Sequence, residues 1–251
     1  MGLRLAIGLR RITKSRLEED RGLDVERWGI RMRLHPVRNG CEKNLLFTPQ
    51  MYEPPERAEL AEEIDKTRRA NRKFVFVDIG ANVGLFSLFV AAYAGSNAQI
   101  LAIEPEPTNL GRLRFNVAAN GGLPIQVIGL ALGESTERVV VQLDNRDRGG
   151  TTTRSLGPHD GADVVIAECR PLLEVVRQEG LTHIDALKID IEGTEDKVLV
   201  PFFSNAPPDL WPSLVIIEDT RDRWRSDLFS LLAQIGYKVS SRTKLNVMLR
   251  R

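Results

Sequence analysis

The run Asp78-Ile79-Gly80-Ala81-Asn82-Val83-Gly84 constrains this chain more than any other feature. It follows the β-branched and aromatic stretch Phe74 to Val77 and precedes a candidate helix at Leu85 to Ala94. A strand that turns through glycines into a helix opens a βαβ unit, and the residues of the turn decide what it can hold. A dinucleotide-binding turn uses three glycines, the second of which lets the backbone approach a pyrophosphate. With Gly80 in the first role, Asn82 falls in the second and Leu85 in the third, so two of the three roles fail. Asp78 would also set a carboxylate against the pyrophosphate. This pattern disfavours a phosphate-bearing ligand, and with it a nicotinamide-dependent oxidoreductase.

A cationic ligand without phosphates suits the same residues. S-adenosylmethionine carries an ammonium and a sulfonium, which need acceptors. Asp78 can orient its amino-acid end directly or through water. Gly80 and Gly84, with Ala81 between them, let the chain turn tightly beside the ligand. Asn82 tolerates left-handed backbone angles and offers both a donor and an acceptor. Glu104 ends the next candidate strand, before Pro105, where an acid can accept both ribose hydroxyl protons, as in dinucleotide folds. The plainer alternative is a tight turn closing a βαβ unit, with Glu104 a solvated strand end.

Beyond the turn, short β-branched runs alternate with helical patterns, which predicts α/β architecture with a mostly parallel sheet. Candidate strands are Phe74 to Asp78, Ile100 to Glu104, Ile125 to Ala131, Ala186 to Asp190, Leu214 to Glu218, Tyr237 to Ser240 and Leu245 to Leu249. Candidate helices are Leu85 to Ala94, Asn109 to Ala119, Pro171 to Glu179, Glu195 to Phe203 and Ser226 to Ile235. Arg138 to Leu143 and Val164 to Glu168 read as extra short strands in an insertion, and Asp144 to Asp163 as an exposed loop placed to cover a site. Residues 1–72 read as a small N-terminal lobe (basic helix, short hairpin, charged helix) and 73–251 as the ligand-binding domain. Within the lobe, Ile30, Met32 and Leu34 alternate with Arg31, Arg33 and His35 as a half-buried strand does, and Asn39-Gly40 is expected to make the hairpin turn.

Bulk properties exclude several classes. Lys and Arg total 35 against 34 Asp and Glu, which gives no general attraction to nucleic acid or anionic membrane. The basic excess is confined to residues 1–38, where Arg4, Arg10, Arg11, Lys14 and Arg16 form an arm. A solvated amphipathic helix explains that arm, and peripheral contact with a membrane surface or an acidic partner is the alternative. Two cysteines, Cys41 and Cys169, are too few for a disulfide framework and suit a reducing compartment. With no secretory leader pattern at the N-terminus, a cytoplasmic location is expected. The uncharged stretch Ile79 to Ile103 is cut by Gly80, Asn82, Gly84, Gly95, Ser96 and Asn97 into pieces shorter than the ~20 residues a bilayer needs.

Phe76 to Gly84, then Ile103-Glu104-Pro105-Glu106-Pro107, then Leu187-Lys188-Ile189-Asp190-Ile191-Glu192-Gly193-Thr194-Glu195 together closely resemble the FkbM family of methyltransferases. The resemblance covers roughly Phe74 to Arg250 and is weak over the first 70 residues. It implies a Rossmann-like class I methyltransferase fold with seven strands, one of them antiparallel through a C-terminal hairpin. It also implies S-adenosylmethionine as cofactor and a hydroxyl of a small metabolite, sugar or glycan as methyl acceptor. The Ala131-Leu132 pair matches the family position lying against the adenine. Thr194 stands where the family usually has alanine.

Asp190 and Glu192 end a strand at the edge where open α/β sheets bind ligands. Methyl transfer requires the acceptor oxygen to be positioned and its proton removed. Asp190 is the first candidate for that role and Glu192 the second. The alternative has Asp190 capping the next helix and Glu192 bracing the loop, in the extreme within a non-catalytic cofactor-binding scaffold. Lys188, in an otherwise apolar strand, needs a partner if buried, for which Asp190 and Glu218 are candidates. Asp190, Glu192, Glu218 and Asp219 are also of the type that collects a hard divalent cation. Adjacent carboxylates are common without metal, however, and His35, His159 and His183 give no ligand pattern, so no metal site is assigned. Of the three, His159 in the covering loop is the one to test as a base. Thr151 to Thr153 could equally bond a polyol or belong to a flexible polar loop. The block Asp190-Ile191-Glu192-Gly193 lacks the proline-aromatic element that stacks a flipped base, which disfavours a nucleic-acid substrate.

Overall fold

The computed structural model describes residues 21–143, 152–155 and 164–251. The basic arm at Arg4, Arg10, Arg11, Lys14 and Arg16, together with Thr151, His159 and most of the expected covering loop, lies outside the described residues.

Residues with β-branched and aromatic side chains build a seven-stranded sheet. Its strands are β3 (Phe74–Ile79), β4 (Ala98–Ile103), β5 (Ile125–Ile128), β10 (Ala186–Ile189), β11 (Leu214–Glu218), β12 (Lys238–Arg242) and β13 (Asn246–Arg250). Their order is β12-β13-β11-β10-β3-β4-β5. The five strands from β11 to β5 are mutually parallel, whereas β13 runs antiparallel to both β11 and β12. All six residues of β3 are buried, as expected of a strand covered on both faces.

Strand alternation sends Val75, Val77, Ile79, Leu187, Ile189, Val215 and Ile217 to one face. There they meet α5 (Leu172–Gln178), α6 (Glu195–Asn205) and α7 (Leu228–Gln234) through residues such as Val176, Leu199, Phe202 and Leu232. Phe74, Phe76, Ile100, Ile216 and Met248 point the other way, onto α3 (Leu85–Ala94) and α2 (Pro54–Arg69). This second core also takes in β2 (Ile30–Leu34) and α1 (Gly40–Phe47), so the N-terminal segment shares a core with the sheet. A further helix, α4 (Pro107–Ala118), follows β4.

In the N-terminal segment, Ile30, Met32 and Leu34 are buried as their alternation predicts, but the hairpin turn is not at Asn39-Gly40. Strand β2 pairs backward with β1 (Leu23–Arg27) through Trp28 and Gly29, both at positive φ (55° and 74°), the geometry of a two-residue hairpin turn. Asn39 instead caps α1, its side chain accepting the amide of Glu42. The run Ile125 to Ala131 is likewise not one strand. It breaks after Ile128, and Ala131-Leu132 forms a short β6 that pairs with β9 (Val164–Arg170) in a separate sheet. That sheet, of order β6-β9-β7-β8, also contains β7 (Glu137–Gln142) and β8 (Thr152–Ser155), and it is the insertion expected from the sequence.

Candidate active site

The chain leaves β3 toward β4 in one direction along the sheet and β10 toward β11 in the other. The crevice beyond the carboxyl ends of β3 and β10 is therefore the switch point at which such sheets bind ligands. A cavity of about 320 Å³ lies there, within the usual range for a small-molecule site. Asp78, Gly80, Ala81, Asn82, Glu104, Pro105, Asp190 and Glu192 all line it.

The glycine turn works by close approach. Gly80 has φ 72°, and a Cβ there would stand 1.9 Å from the carbonyl oxygen of Asp190. Gly84 has φ 88°, and a Cβ there would stand 2.3 Å from Leu113 Cδ1 in α4, so this glycine serves packing beneath the cavity. Asn82, at φ 54°, holds the left-handed angle its side chain tolerates. Glu104 secures the turn: its Oε2 accepts the Asn82 amide at 2.8 Å and its Oε1 the Glu106 amide at 2.9 Å. Burial pushes the Glu104 carboxyl up to about 7 despite those two bonds.

Asp78 is almost wholly buried. Its Oδ2 accepts from the amide and hydroxyl of Ser87 at 3.1 and 2.6 Å, while its buried Oδ1 has no partner. Burial raises this carboxyl as well. A carboxylate on the cavity wall with one acceptor left unpartnered fits the ammonium and sulfonium of S-adenosylmethionine and does not fit a pyrophosphate. Glu104 retains carboxylate lone pairs suited to ribose hydroxyls. Ala131 and Leu132 are not brought to this cavity. Leu132 lines a neighbouring pocket of about 100 Å³ with Cys169, Thr194 and Lys197.

The chemical end of the cavity gathers around Lys188. This residue lies beside Asp78 in the register of β10 and β3, is buried, and donates to Asp190 Oδ2 at 3.1 Å with its ammonium 4.9 Å from the ring centre of Phe86. Of the two partners expected for it, Asp190 is the bonded one. Burial lowers its pKa, but the carboxylates of Asp190, Glu53 and Asp78 outweigh burial and leave it raised and charged. Carboxylate oxygens of Asp190, Glu192 and Glu218 lie within 4.8 Å of one another. Asp219 does not join them, because Arg221 and Arg242 hold it outside. Glu218 has a buried, unpartnered Oε2, and burial with the repulsion of Asp190 and Glu192 raises it to about 8. His35 and His183 are absent from the lining, whereas Thr153 belongs to it.

Glu195, fully buried at the start of α6, holds this loop in place. Its Oε1 accepts the amides of Ile191 and Gly193 at 3.0 and 3.2 Å, and its Oε2 accepts from Thr220 and Trp224, each at 2.7 Å. Glu192 thereby adopts φ 60°. The sequence reading missed this brace, although Glu195 closes the very block it singled out.

It also missed the wall supplied from upstream: Asn44, Tyr52 and Glu53 line the cavity from the N-terminal segment. Glu53 has φ 41° at the N-terminus of α2, an uncommon angle for a non-glycine residue, and burial pushes its carboxyl up to about 7. A charge-rich stretch gives no local sign that one of its glutamates turns inward.

A seven-stranded sheet of this order with its penultimate strand reversed, a glycine turn at the switch point and an acid ending the adjacent strand define a class I S-adenosylmethionine-dependent methyltransferase. The model for the methyltransferase FkbM domain matches residues 78–239, and the chain belongs to the FkbM methyltransferase family. It is 31% identical over 207 residues to the methyltransferase sdnD of Sordaria araneosa, covering 62% of this chain and 79% of that one. It is 29% identical over 209 residues to the AMB antimetabolite synthetase AmbE of Pseudomonas aeruginosa, covering 67% of this chain but only 10% of that much longer protein. Among solved structures, the human methyltransferase 10 domain containing protein superimposes with a TM-score of 0.49 at 14% identity, over 98% of this chain and 96% of the other. Among the described residues no helix is long and apolar enough to cross a membrane.

Proposed function

We propose that the chain transfers a methyl group from S-adenosylmethionine to a hydroxyl of a small metabolite, sugar or glycan. The observation that carries this reading is the convergence of Asp190, Glu192 and Glu218 on one wall of the cavity that the Gly80 turn and Glu104 also line. Residues 73–251 hold the cofactor on this reading, with Asp78, Gly80, Ala81, Asn82, Glu104 and Pro105 around it and Gly84 packing the turn beneath it. Ala131 and Leu132 are retained as the adenine-side pair on the family resemblance alone. Residues 1–72 shape the acceptor side through Tyr52 and Glu53.

When bound, S-adenosylmethionine supplies an electrophilic methyl group. Asp190 would take the acceptor hydroxyl proton, and Lys188, donating to its Oδ2 at 3.1 Å, holds the carboxylate in place for it. Glu192 orients the same acceptor from the neighbouring loop position. Mass spectrometry of products from a panel of alcohols and sugars tests the proposal. It expects O-methylated products that disappear in Asp190→Asn, and methyl groups found only on nitrogen or carbon would overturn it.

A further inference from the structure

Asn39 and Asn82 lie far apart in sequence, yet Asn39 Nδ2 donates to Asn82 Oδ1 at 2.7 Å. The polarity of that bond is dictated. Asn39 caps α1, and its Oδ1 accepts the Glu42 amide at 3.1 Å, which only an oxygen can do. Its nitrogen is all it has left for Asn82, so Asn82 must turn its own oxygen toward Asn39. The backbone of Asn82 is pinned as well, by its left-handed angle and by the bond of its amide to Glu104. What Asn82 has left is Nδ2, which has no hydrogen-bond partner among the described residues, on a side chain that lines the cavity.

We propose that Asn39 is a positioning residue for the cofactor, setting Asn82 Nδ2 as a donor to the carboxylate of its methionine end. The inference rests on the S-adenosylmethionine reading of this cavity. The carboxyls of Asp78, Glu53 and Glu218 suit the two cationic groups of that ligand but offer its carboxylate nothing. Lys188 is engaged by Asp190. A neutral amide donor meets the ligand's anionic group without repelling the sulfonium beside it. Asn39 lies outside residues 78–239, so the family block does not contain the residue that orients its own asparagine.

The test compares S-adenosylhomocysteine with 5′-methylthioadenosine, which keeps the nucleoside and sulfur but lacks the amino-acid end, carboxylate and ammonium alike, by titration calorimetry on the full chain. Asn39→Asp still caps α1 but cannot donate, so the Asn82 amide flips and turns its oxygen to the ligand carboxylate. Asn39→Gly, tolerated at a helix N-cap and without any side-chain donor, decides the question by the same comparison if the aspartate variant does not fold. The expected result is a loss of S-adenosylhomocysteine affinity of about tenfold or more with 5′-methylthioadenosine changed by no more than about twofold. Unchanged binding of both ligands, or an equal loss for both, overturns the proposal. Wild-type protein that binds neither ligand overturns the cofactor reading itself.

Discussion

The carbonyl oxygen of Asp190 occupies the space in which a side chain at position 80 would begin: a Cβ on Gly80 would meet it at 1.9 Å. The glycine turn after β3 and the acidic loop after β10 thus touch backbone to backbone, and the cofactor and acceptor ends of the cavity share one seam. The Asp190 amide reinforces the seam by donating to Ile79 O at 3.1 Å. Gly80→Ala must move one loop off the other and also holds a left-handed angle. It is expected to destabilise the protein by about 3 kcal/mol and to abolish S-adenosylhomocysteine binding. A thermal melt and a titration on the same sample check both effects.

Asp190→Asn separates chemistry from binding. Loss of a base at this position costs about a hundredfold or more in turnover, while the cofactor wall of Gly80, Asn82 and Glu104 is untouched. Turnover is expected to collapse with the S-adenosylhomocysteine dissociation constant within about threefold of wild type. Unchanged turnover would leave Asp190 a structural residue.

Glu195 accepts four hydrogen bonds in a fully buried position. Glu195→Ala strands those donors and is expected to cost about 3 kcal/mol in chemical denaturation. Because Trp224 loses its bond to this carboxylate, its fluorescence should shift to longer wavelength. Lost stability without a fluorescence change would mean that the Trp224 loop is held by something else.

Raised carboxyls give the site a pH signature of definite sign. Burial holds Glu53 and Glu104 at about 7 and Glu218 at about 8, above the ordinary 4.5. A carboxyl that is harder to ionise in the fold than in the unfolded chain contributes stability that is full below about pH 4.5 and lost as the pH rises through its folded value. The melting temperature of the ligand-free protein is therefore expected to fall between pH 5 and 8. A cationic ligand favours the ionised forms, so S-adenosylmethionine affinity should rise over the same interval, with proton release measurable by calorimetry in buffers of different ionisation enthalpy. Affinity that falls with pH would contradict this electrostatic account.

Two of the three clustered carboxylates already have cationic neighbours. Lys188 sits 3.1 Å from Asp190, and Arg223 3.7 Å from Glu192. Methyl transfer is accordingly expected to survive exhaustive chelation with EDTA. Loss of turnover that returns on adding Mg²⁺ would show that a divalent ion is needed.

How far the sequence discloses all this depends on whether the determining contact is local. The glycine turn, the acid after β4 and the β10 block were legible because each packs its chemistry into a few consecutive residues at a strand end. The core was legible too, since alternation in β3 and β2 assigns faces directly. Asn39-Gly40 misled because asparagine serves turns and helix caps alike, and only the tertiary neighbours of α1 decide between them. Ile125 to Ala131 reads as one apolar run, yet Gly129 and Leu130 let the chain leave one sheet for another, which no periodicity records. Tyr52 and Glu53 were hidden for the same reason: nothing beside them in sequence shows that the entry to α2 lies against the cavity.

A crystal structure of the chain with S-adenosylhomocysteine measures the central claim most directly. It should show the ribose hydroxyls on Glu104, the methionine end beside Gly80 and Asn82, and the sulfur directed toward Asp190. Density for the nucleoside elsewhere, or a complex in which Glu104 faces solvent and the turn holds nothing, would contradict it.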